Sequence, residues 1–354
     1  MKILALNSSP RTQDQSKTEL MLNALVEGMQ KEGAEVEVIS LRKKTVKNCI
    51  GCFSCWTKTP GVCIQKDDMT TELFPKWVNS DLAVYATPLY HWTMNATMKA
   101  FIERTLPVIQ PFFVMNEGRW KHPLRDKHPR QAVLCVAAFP EDDVVFSQIS
   151  SYFNFVYGKG LVAEIYRSSC EMMVSPTNKD KLDDILDATK QAGEELVKSM
   201  EISPETMARI KQPVGDFKQY AKIGNAVWKT CISEGLTIKE FNNRGMIPRP
   251  DSLETFMLIL PMGLNSKALG DRKVILQFKF SGEVEDSCYF TIDKGNVETK
   301  SGTSESPDLT VDTPFEVWMD IMTGKADGQQ MLLKQKYKVK GDMSLFMQLF
   351  SKEV

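Results

Sequence analysis

Beyond its first residue, the run Lys2-Ile3-Leu4-Ala5-Leu6 shows no alternation of polar and apolar side chains, so both of its faces must be covered. A short strand of that kind reads as the middle of a parallel sheet, and parallel sheets carry helices on both faces. The next residues meet that demand. A polar stretch from Asn7 to Thr18 leads into a helical pattern with Leu20, Ala24, Leu25, Gly28 and Met29 on one side. Gly33 ends the helix, and Glu35-Val36-Glu37-Val38-Ile39 resumes as a strand. The chain opens on a β-loop-α-β unit, and the expected fold class is α/β.

The loop of that unit is loaded with hydroxyls and cations. Ser8, Ser9, Ser16 and Thr18 offer O–H donors, and Arg11 and Lys17 offer positive charge, at the start of a helix whose free N–H groups attract anions. Such a set suits a terminal phosphate. It is neither G-x-G-x-x-G nor G-x-x-x-x-G-K-[ST], which disfavours a dinucleotide pyrophosphate or a nucleoside triphosphate. The plainer reading is a Ser/Thr helix cap on a surface loop. Position favours phosphate, because ligands of open α/β sheets sit at the carboxyl ends of the strands.

A second strand, Asp81 to Ala86, opens into Thr87 and then Pro88, Leu89, Tyr90, His91, Trp92, Thr93, Met94 and Asn95. Aromatic rings and backbone donors at a strand's carboxyl end can flank a flat heterocycle. The alternative is an aromatic turn that merely packs at the surface.

Four of eight cysteines fall within fifteen residues: Cys49, Cys52, Cys55 and Cys63, spaced C-x2-C-x2-C-x7-C. Thiols at every third position, with a fourth beyond the Pro60-Gly61 turn, can wrap one inorganic centre. The pattern suits a [4Fe–4S] cube better than zinc held by two separated pairs. The competing reading is a tight loop of small buried thiols beside another cofactor. Cys135, Cys170, Cys231 and Cys288 are scattered singly, as reduced core thiols are. The N-terminus turns polar too early for a signal peptide, and no window is long and apolar enough for a membrane span. The cytoplasm is the expected compartment. A formal net charge of −1 argues against nucleic acid as a partner. No Ser-His-Asp set is visible and no catalytic side chain is assigned. Of three histidines only His91 is expected beside the ligand, with His122 and His128 in a solvated basic loop.

Three ordered motifs, namely Asn7-Ser8-Ser9-Pro10-Arg11 to Ser16-Lys17-Thr18, the cysteine run ending in Asp67-Asp68-Met69, and Thr87-Pro88-Leu89-Tyr90, carry a family likeness. Over roughly its first 200 residues the chain resembles the flavodoxin-like NAD(P)H-dependent FMN reductases, and specifically their iron–sulfur flavoproteins. The resemblance implies a doubly wound five-stranded parallel sheet, with the FMN phosphate on the first loop. It also implies isoalloxazine beside Pro88 to Asn95, and a cysteine loop near the flavin that holds a [4Fe–4S] cluster in some members. Residues Phe139-Pro140-Glu141-Asp142 fall where a third flavin-side loop is expected. A homo-oligomer is expected on the same ground.

Beyond residue 178 the pattern is helical, with Pro204 and Pro213 as breaks. Past Pro250 it changes again. Val274 to Phe280 and Ser287 to Ile292 read as paired strands, and helices follow through Trp318 to Met322, Met331 to Leu333 and Leu345 to Leu349. That order, with Asp308-Leu309-Thr310-Val311 and the late Gly341-Asp342, resembles the sterol-carrier-protein family, which implies an apolar tunnel. Met257, Met262, Met319, Met322, Met331, Met343 and Met347 would suit an adaptable cavity or a plain core. The expected domains are residues 1–200 (FMN-binding), 201–250 (helical connector) and 251–354 (a smaller α+β sterol-carrier-like unit).

The functional expectation is an FMN oxidoreductase that takes electrons from NAD(P)H or a small reduced carrier. Its alternative is a non-catalytic electron-transfer or redox-sensing flavoprotein whose C-terminal domain binds an apolar ligand or a partner.

Overall fold

The computed structural model describes residues 1–12, 15–116, 118–140 and 144–351. Gln13 and Asp14 of the first loop, and Glu141 and Asp142 of the expected third loop, lie outside the described residues. The chain divides into two compact units, Met1–Gly215 and Asp216–Val354.

The first unit is built on a parallel sheet of β1 (Lys2–Asn7), β2 (Glu35–Ser40), β3 (Leu82–Tyr90), β7 (Arg130–Val136) and β8 (Leu161–Arg167). Their order is β2-β1-β3-β7-β8, the doubly wound order of flavodoxin-like folds. A two-residue strand, β4 (Thr93–Met94), folds back on the end of β3, and β5 (Val114–Asn116) and β6 (Arg119–Lys121) form a separate hairpin. The helices are α1 (Lys17–Lys31), α2 (Phe74–Val78), α3 (Ala96–Glu103), α4 (Ser147–Tyr157), α5 (Cys170–Met173), α6 (Lys179–Ser199) and α7 (Pro204–Ile210).

The unalternating strands have a direct structural reason. Ile3 and Ala5, with Leu82, Val84 and Ala86, enter one core with α1 and α6. Leu4 and Leu6, with Ala83 and Tyr85, enter the other with α2, α3 and α4. The central strands β1 and β3 bury both rows of side chains along most of their length, so neither row reads as polar. On the first face α1 and α6 approach backbone to backbone: a Cβ on Gly28 would lie 1.8 Å from the Lys190 carbonyl oxygen, and one on Gly193 would lie 2.1 Å from that of Leu25.

The second unit carries α8 (Phe217–Glu234), α9 (Ile238–Asn243) and α10 (Leu253–Ile259) ahead of a five-stranded sheet. The sheet comprises β9 (Val274–Ser281), β10 (Ser287–Asp293), β11 (Asn296–Ser301), β12 (Leu309–Pro314) and β13 (Lys338–Gly341), in the order β11-β10-β9-β12-β13. All pairs are antiparallel except β9 with β12. Helices α11 (Phe315–Met322), α12 (Gly328–Leu333) and α13 (Met343–Leu349) complete the unit. Residues 201–250 divide between the two units, α7 with the first and α8 and α9 with the second.

The core of this unit is aromatic. Phe256 of α10 is fully buried, with ring centroids 4.9 Å from Phe280, 5.0 Å from Phe278 and 5.8 Å from Phe290. Among the methionines expected to line a cavity, Met319 is fully buried, whereas Met262, Met343 and Met347 are exposed. Met257, Met322 and Met331 pack, partly buried, against the same core, so aromatic rings and methionines share the space between sheet and helices.

Candidate functional site

The loops after β1 and β3 lie where the strand order reverses, the place at which open α/β sheets bind ligands. Both grow out of fully paired strands, so their starting points are held by the sheet. Ser8 donates its backbone N–H (2.9 Å) and its hydroxyl (3.2 Å) to the Ala86 carbonyl of β3. Asn95 donates back through Nδ2 to the Ser8 carbonyl at 2.7 Å, while its Oδ1 caps α3 by accepting the Met98 N–H at 3.1 Å. One buried asparagine ties both loops to one helix.

In the first loop Ser16 caps α1, accepting the Glu19 N–H at 3.1 Å and donating to the buried Ser9 hydroxyl at 2.8 Å. Ser9 Oγ also accepts the Arg11 N–H at 3.3 Å. Thr18 is buried one residue into the helix. The two cations of the loop share one anion: Glu171 of α5 meets Arg11 at 2.9 Å and Lys17 at 2.7 Å. Glu171 was not singled out in the sequence because it lies 160 residues from Arg11 in the chain, and no local pattern marks it. Ser168, just after β8, is also buried, and among the described residues its hydroxyl has no hydrogen-bond partner.

The second loop is a hairpin. Beta pairing continues past the expected end of the strand at Ala86, joining Leu89 to Met94 and Tyr90 to Thr93. The two turn residues have positive φ, 49° at His91 and 67° at Trp92. Two consecutive left-handed residues make the tight hairpin turn that glycine and asparagine normally serve. Such conformations in non-glycine residues store strain and gather at ligand sites. Pro88 is buried in β3, Leu89 is half-buried, and Tyr90, His91 and Trp92 are exposed. The Trp92 ring lies 5.0 Å from that of Phe139, which brings the third expected loop to the same edge.

The cysteine segment is a loop on a closed stem. Asp67 Oδ2 accepts the Lys47 N–H at 2.9 Å, Asp68 accepts that of Thr45 at 2.7 Å, and Gln65 donates to the Asn48 carbonyl at 2.9 Å. Cys49, Cys52, Cys55 and Cys63 are all free thiols and line one small cavity of about 20 Å³. Burial, reinforced by the neighbouring Cys63, pushes the Cys55 thiol above its ordinary range. Cys52 is exposed, and hydrogen bonds from the Ser54 backbone and side chain draw its pKa down. Among the described residues no three His, Cys, Asp or Glu side chains are arranged as a preformed metal site. A further cavity of about 230 Å³ shares Cys63, Arg104 and Pro107 with the first.

Arg104, which ends α3, was also missed: a single cation after an apolar helix carries no sequence signal. Its side chain is 1% exposed and its partner Asp67 is 0% exposed. The guanidinium donates to both Asp67 oxygens, at 2.8 and 3.0 Å, to the Lys47 carbonyl at 2.7 Å and to Thr70 Oγ1 at 3.0 Å. At 1.5 Å rise per residue, α3 spans roughly 14 Å from Asn95 at the two loops to Arg104 at the cysteines.

The other two histidines are not in a solvated loop as expected. His122 is half-buried with its ring 4.8 Å from Trp56, and His128 is half-buried 6.2 Å from Trp77. Imidazole packs against indole, stacked at His128 and tilted at His122, a contact that proline and charge in the local sequence concealed.

Fold and loops together define a flavodoxin-like α/β scaffold with its loops gathered at the strand reversal. Residues 1–127 match the family described as NADPH-dependent FMN reductase, and residues 266–351 match the SCP-2 sterol transfer family. An iron-sulfur flavoprotein of Archaeoglobus fulgidus is 36% identical over 107 residues, covering 30% of this chain and 46% of that protein. One from Methanocaldococcus jannaschii is 31% identical over 117 residues, covering 33% and 58%. The chain spans about half the length of the curated relatives it matches. Among solved structures, an NAD(P)H:quinone oxidoreductase from Methanothermobacter marburgensis superposes with a TM-score of 0.41 at 18% identity, covering 55% of this chain and 96% of that one. An FMN-dependent NADH-azoreductase from Bacillus anthracis in complex with FMN gives 0.42 at 18%, covering 55% and 99%. Among the described residues no helix is long and apolar enough to cross a membrane.

Proposed function

We propose that this chain is an FMN-dependent NAD(P)H oxidoreductase of the iron–sulfur flavoprotein type, passing electrons from NAD(P)H or a small reduced carrier to an acceptor. The observation that carries the reading is the pair of loops at the strand reversal, tied by Asn95 and ending in the strained His91-Trp92 turn. FMN, when bound, supplies hydride and single-electron transfer.

The residues present fit that group. The Glu171 carboxylate already stands where Arg11 and Lys17 gather negative charge, so the place accepts an anion. Ser9, Ser16, Arg11, Lys17 and the first turn of α1 would hold the phosphate, with Ser8 and Thr18 packed beneath them. Pro88, Leu89, Tyr90, His91, Trp92, Thr93, Met94 and Asn95 would border the ring and shield it from water. The four thiols fit a [4Fe–4S] cluster in donor chemistry: Cys49, Cys52, Cys55 and Cys63 line one cavity with the buried Arg104. Such a cluster, when bound, stores one electron at a time.

The test is anaerobic purification with a visible spectrum and counts of flavin, iron and sulfide per chain. Near one FMN and four irons supports the full reading. FMN without iron leaves a thiol-bearing FMN reductase, and neither cofactor overturns the proposal. NAD(P)H oxidation with a soluble quinone then tests turnover, and light scattering tests the expected homo-oligomer.

A second reading, a carrier that hands electrons to a partner protein, draws on the exposed edge of the cysteine loop, where Ile50 and Phe53 face solvent. Bound FMN with no turnover on soluble acceptors would favour it. For the second unit, the match to the SCP-2 sterol transfer family supports an apolar ligand.

A further inference from the structure

The geometry points to Arg104 as the residue that sets the reduction potential of a cluster held by Cys49, Cys52, Cys55 and Cys63, with Asp67 as its opposing charge. The inference rests on the cluster reading above and goes beyond it to a residue outside the cysteine motif.

A guanidinium buried this deeply is costly unless its donors are matched. Four N–H contacts of Arg104 are accounted for, by Asp67 twice, Lys47 and Thr70. The remaining one, Nε, is buried and meets no oxygen or nitrogen acceptor among the described residues, while the guanidinium is also hydrogen-bonded to the Cys63 side chain, one of the four thiols. Arg104 also lines the cavity that the four cysteines line. The structure therefore places a guanidinium N–H toward sulfur and a fixed positive charge in the wall of the thiol pocket. A guanidinium keeps its proton throughout the working pH range, so this charge is fixed.

Sulfur ligands surrounded by N–H donors and cations hold added electrons more firmly, and net charge is a main determinant of cluster potential. One electron added to the pocket brings one negative charge, which Arg104 favours and Asp67 disfavours. The two residues form a bidentate pair, so neither acts alone. Their removal should shift the potential in opposite directions. General loosening of the loop would admit water in both variants and move both the same way, which separates an electrostatic role from a structural one.

The test is a potentiometric titration of the anaerobically purified full chain with dithionite, read by visible absorption and electron paramagnetic resonance, with iron counted in every variant. Arg104→Gln should shift the one-electron equilibrium at least tenfold toward the oxidised form, about 59 mV negative. Asp67→Asn, which keeps the shape and an acceptor for the Lys47 N–H, should shift it positive. Arg104→Lys, which keeps the charge, should lie between Gln and the wild type. Unchanged potentials with four irons retained overturn the inference, as do shifts of one sign in both Gln and Asn variants. Loss of iron in all three also overturns it, making Arg104 a strut of the loop. An iron-free wild type removes the cluster reading itself, and this inference with it.

Discussion

Replacing Asn95 tests whether the two ligand loops are one unit. Its Oδ1 caps α3 and its Nδ2 donates to the Ser8 carbonyl, and the residue is 6% exposed. In Asn95→Ala the lost cap costs about 1 kcal/mol. The Ser8 carbonyl loses a buried donor, which costs about 1–3 kcal/mol more. The sum, about 2–4 kcal/mol, is a large share of the roughly 5–15 kcal/mol that holds a domain together. Asn95→Asp separates the two contributions, since a carboxylate still caps the helix but cannot donate to Ser8. It should lose the bridge and keep the cap. Urea unfolding of the full chain, followed by hydrogen exchange at β1 and β3, gives the midpoint shift, and flavin titration gives the accompanying loss of FMN affinity. A change under about 0.5 kcal/mol in Asn95→Ala, the scale of an ordinary surface substitution, would refute the coupling.

Other outcomes follow from the same contacts. Lys17→Ala should weaken FMN by about 1.5–3 kcal/mol, the worth of a hydrogen bond to a charged group, whereas Glu171→Gln should tighten it by freeing Arg11 and Lys17; isothermal titration with FMN reads both signs. Phe256→Ala should destabilise the second unit by about 3–5 kcal/mol, seen as lost exchange protection in β9 and β10. Burial opposes the charge of Glu195, but hydrogen bonds from Ser203 and Thr206 prevail and hold its pKa below the ordinary 4.5. A lowered folded pKa gives stability that is present above the unfolded value and lost as pH falls through the folded one. The α6–α7 junction should therefore weaken below about pH 4.5, and Glu195→Gln should flatten that dependence in unfolding measured against pH.

The layers of the fold were legible in the chain because both rows of a buried parallel strand must be apolar, a demand that acts residue by residue. Ile3 to Leu6 and Leu82 to Ala86 show it, and so do the helices whose apolar faces recur between them. The strands of the second unit were legible for a similar reason, through their short period and Gly-containing turns. The Ser8–Thr18 loop and the cysteine spacing were legible because hydroxyls, cations and thiols cluster within a few residues.

Other features depended on parts of the chain far apart in sequence. Asn95 reads as a helix cap, and only the sheet brings its other arm to Ser8. Glu171 reaches Arg11 and Lys17 because the segments after β1 and β8 emerge at the same carboxyl end of the sheet. Arg104 is one cation after an apolar helix until the stem of the cysteine loop closes over it and Asp67 meets it in the dark of the core. The His91-Trp92 turn carries no glycine or asparagine, so strand pairing, not local preference, imposes its backbone. Phe256 looks like any apolar helix residue, and only packing decides that it sits at the centre of the second unit's core. Local pattern records what each residue must face, and tertiary structure decides which distant residue it meets there.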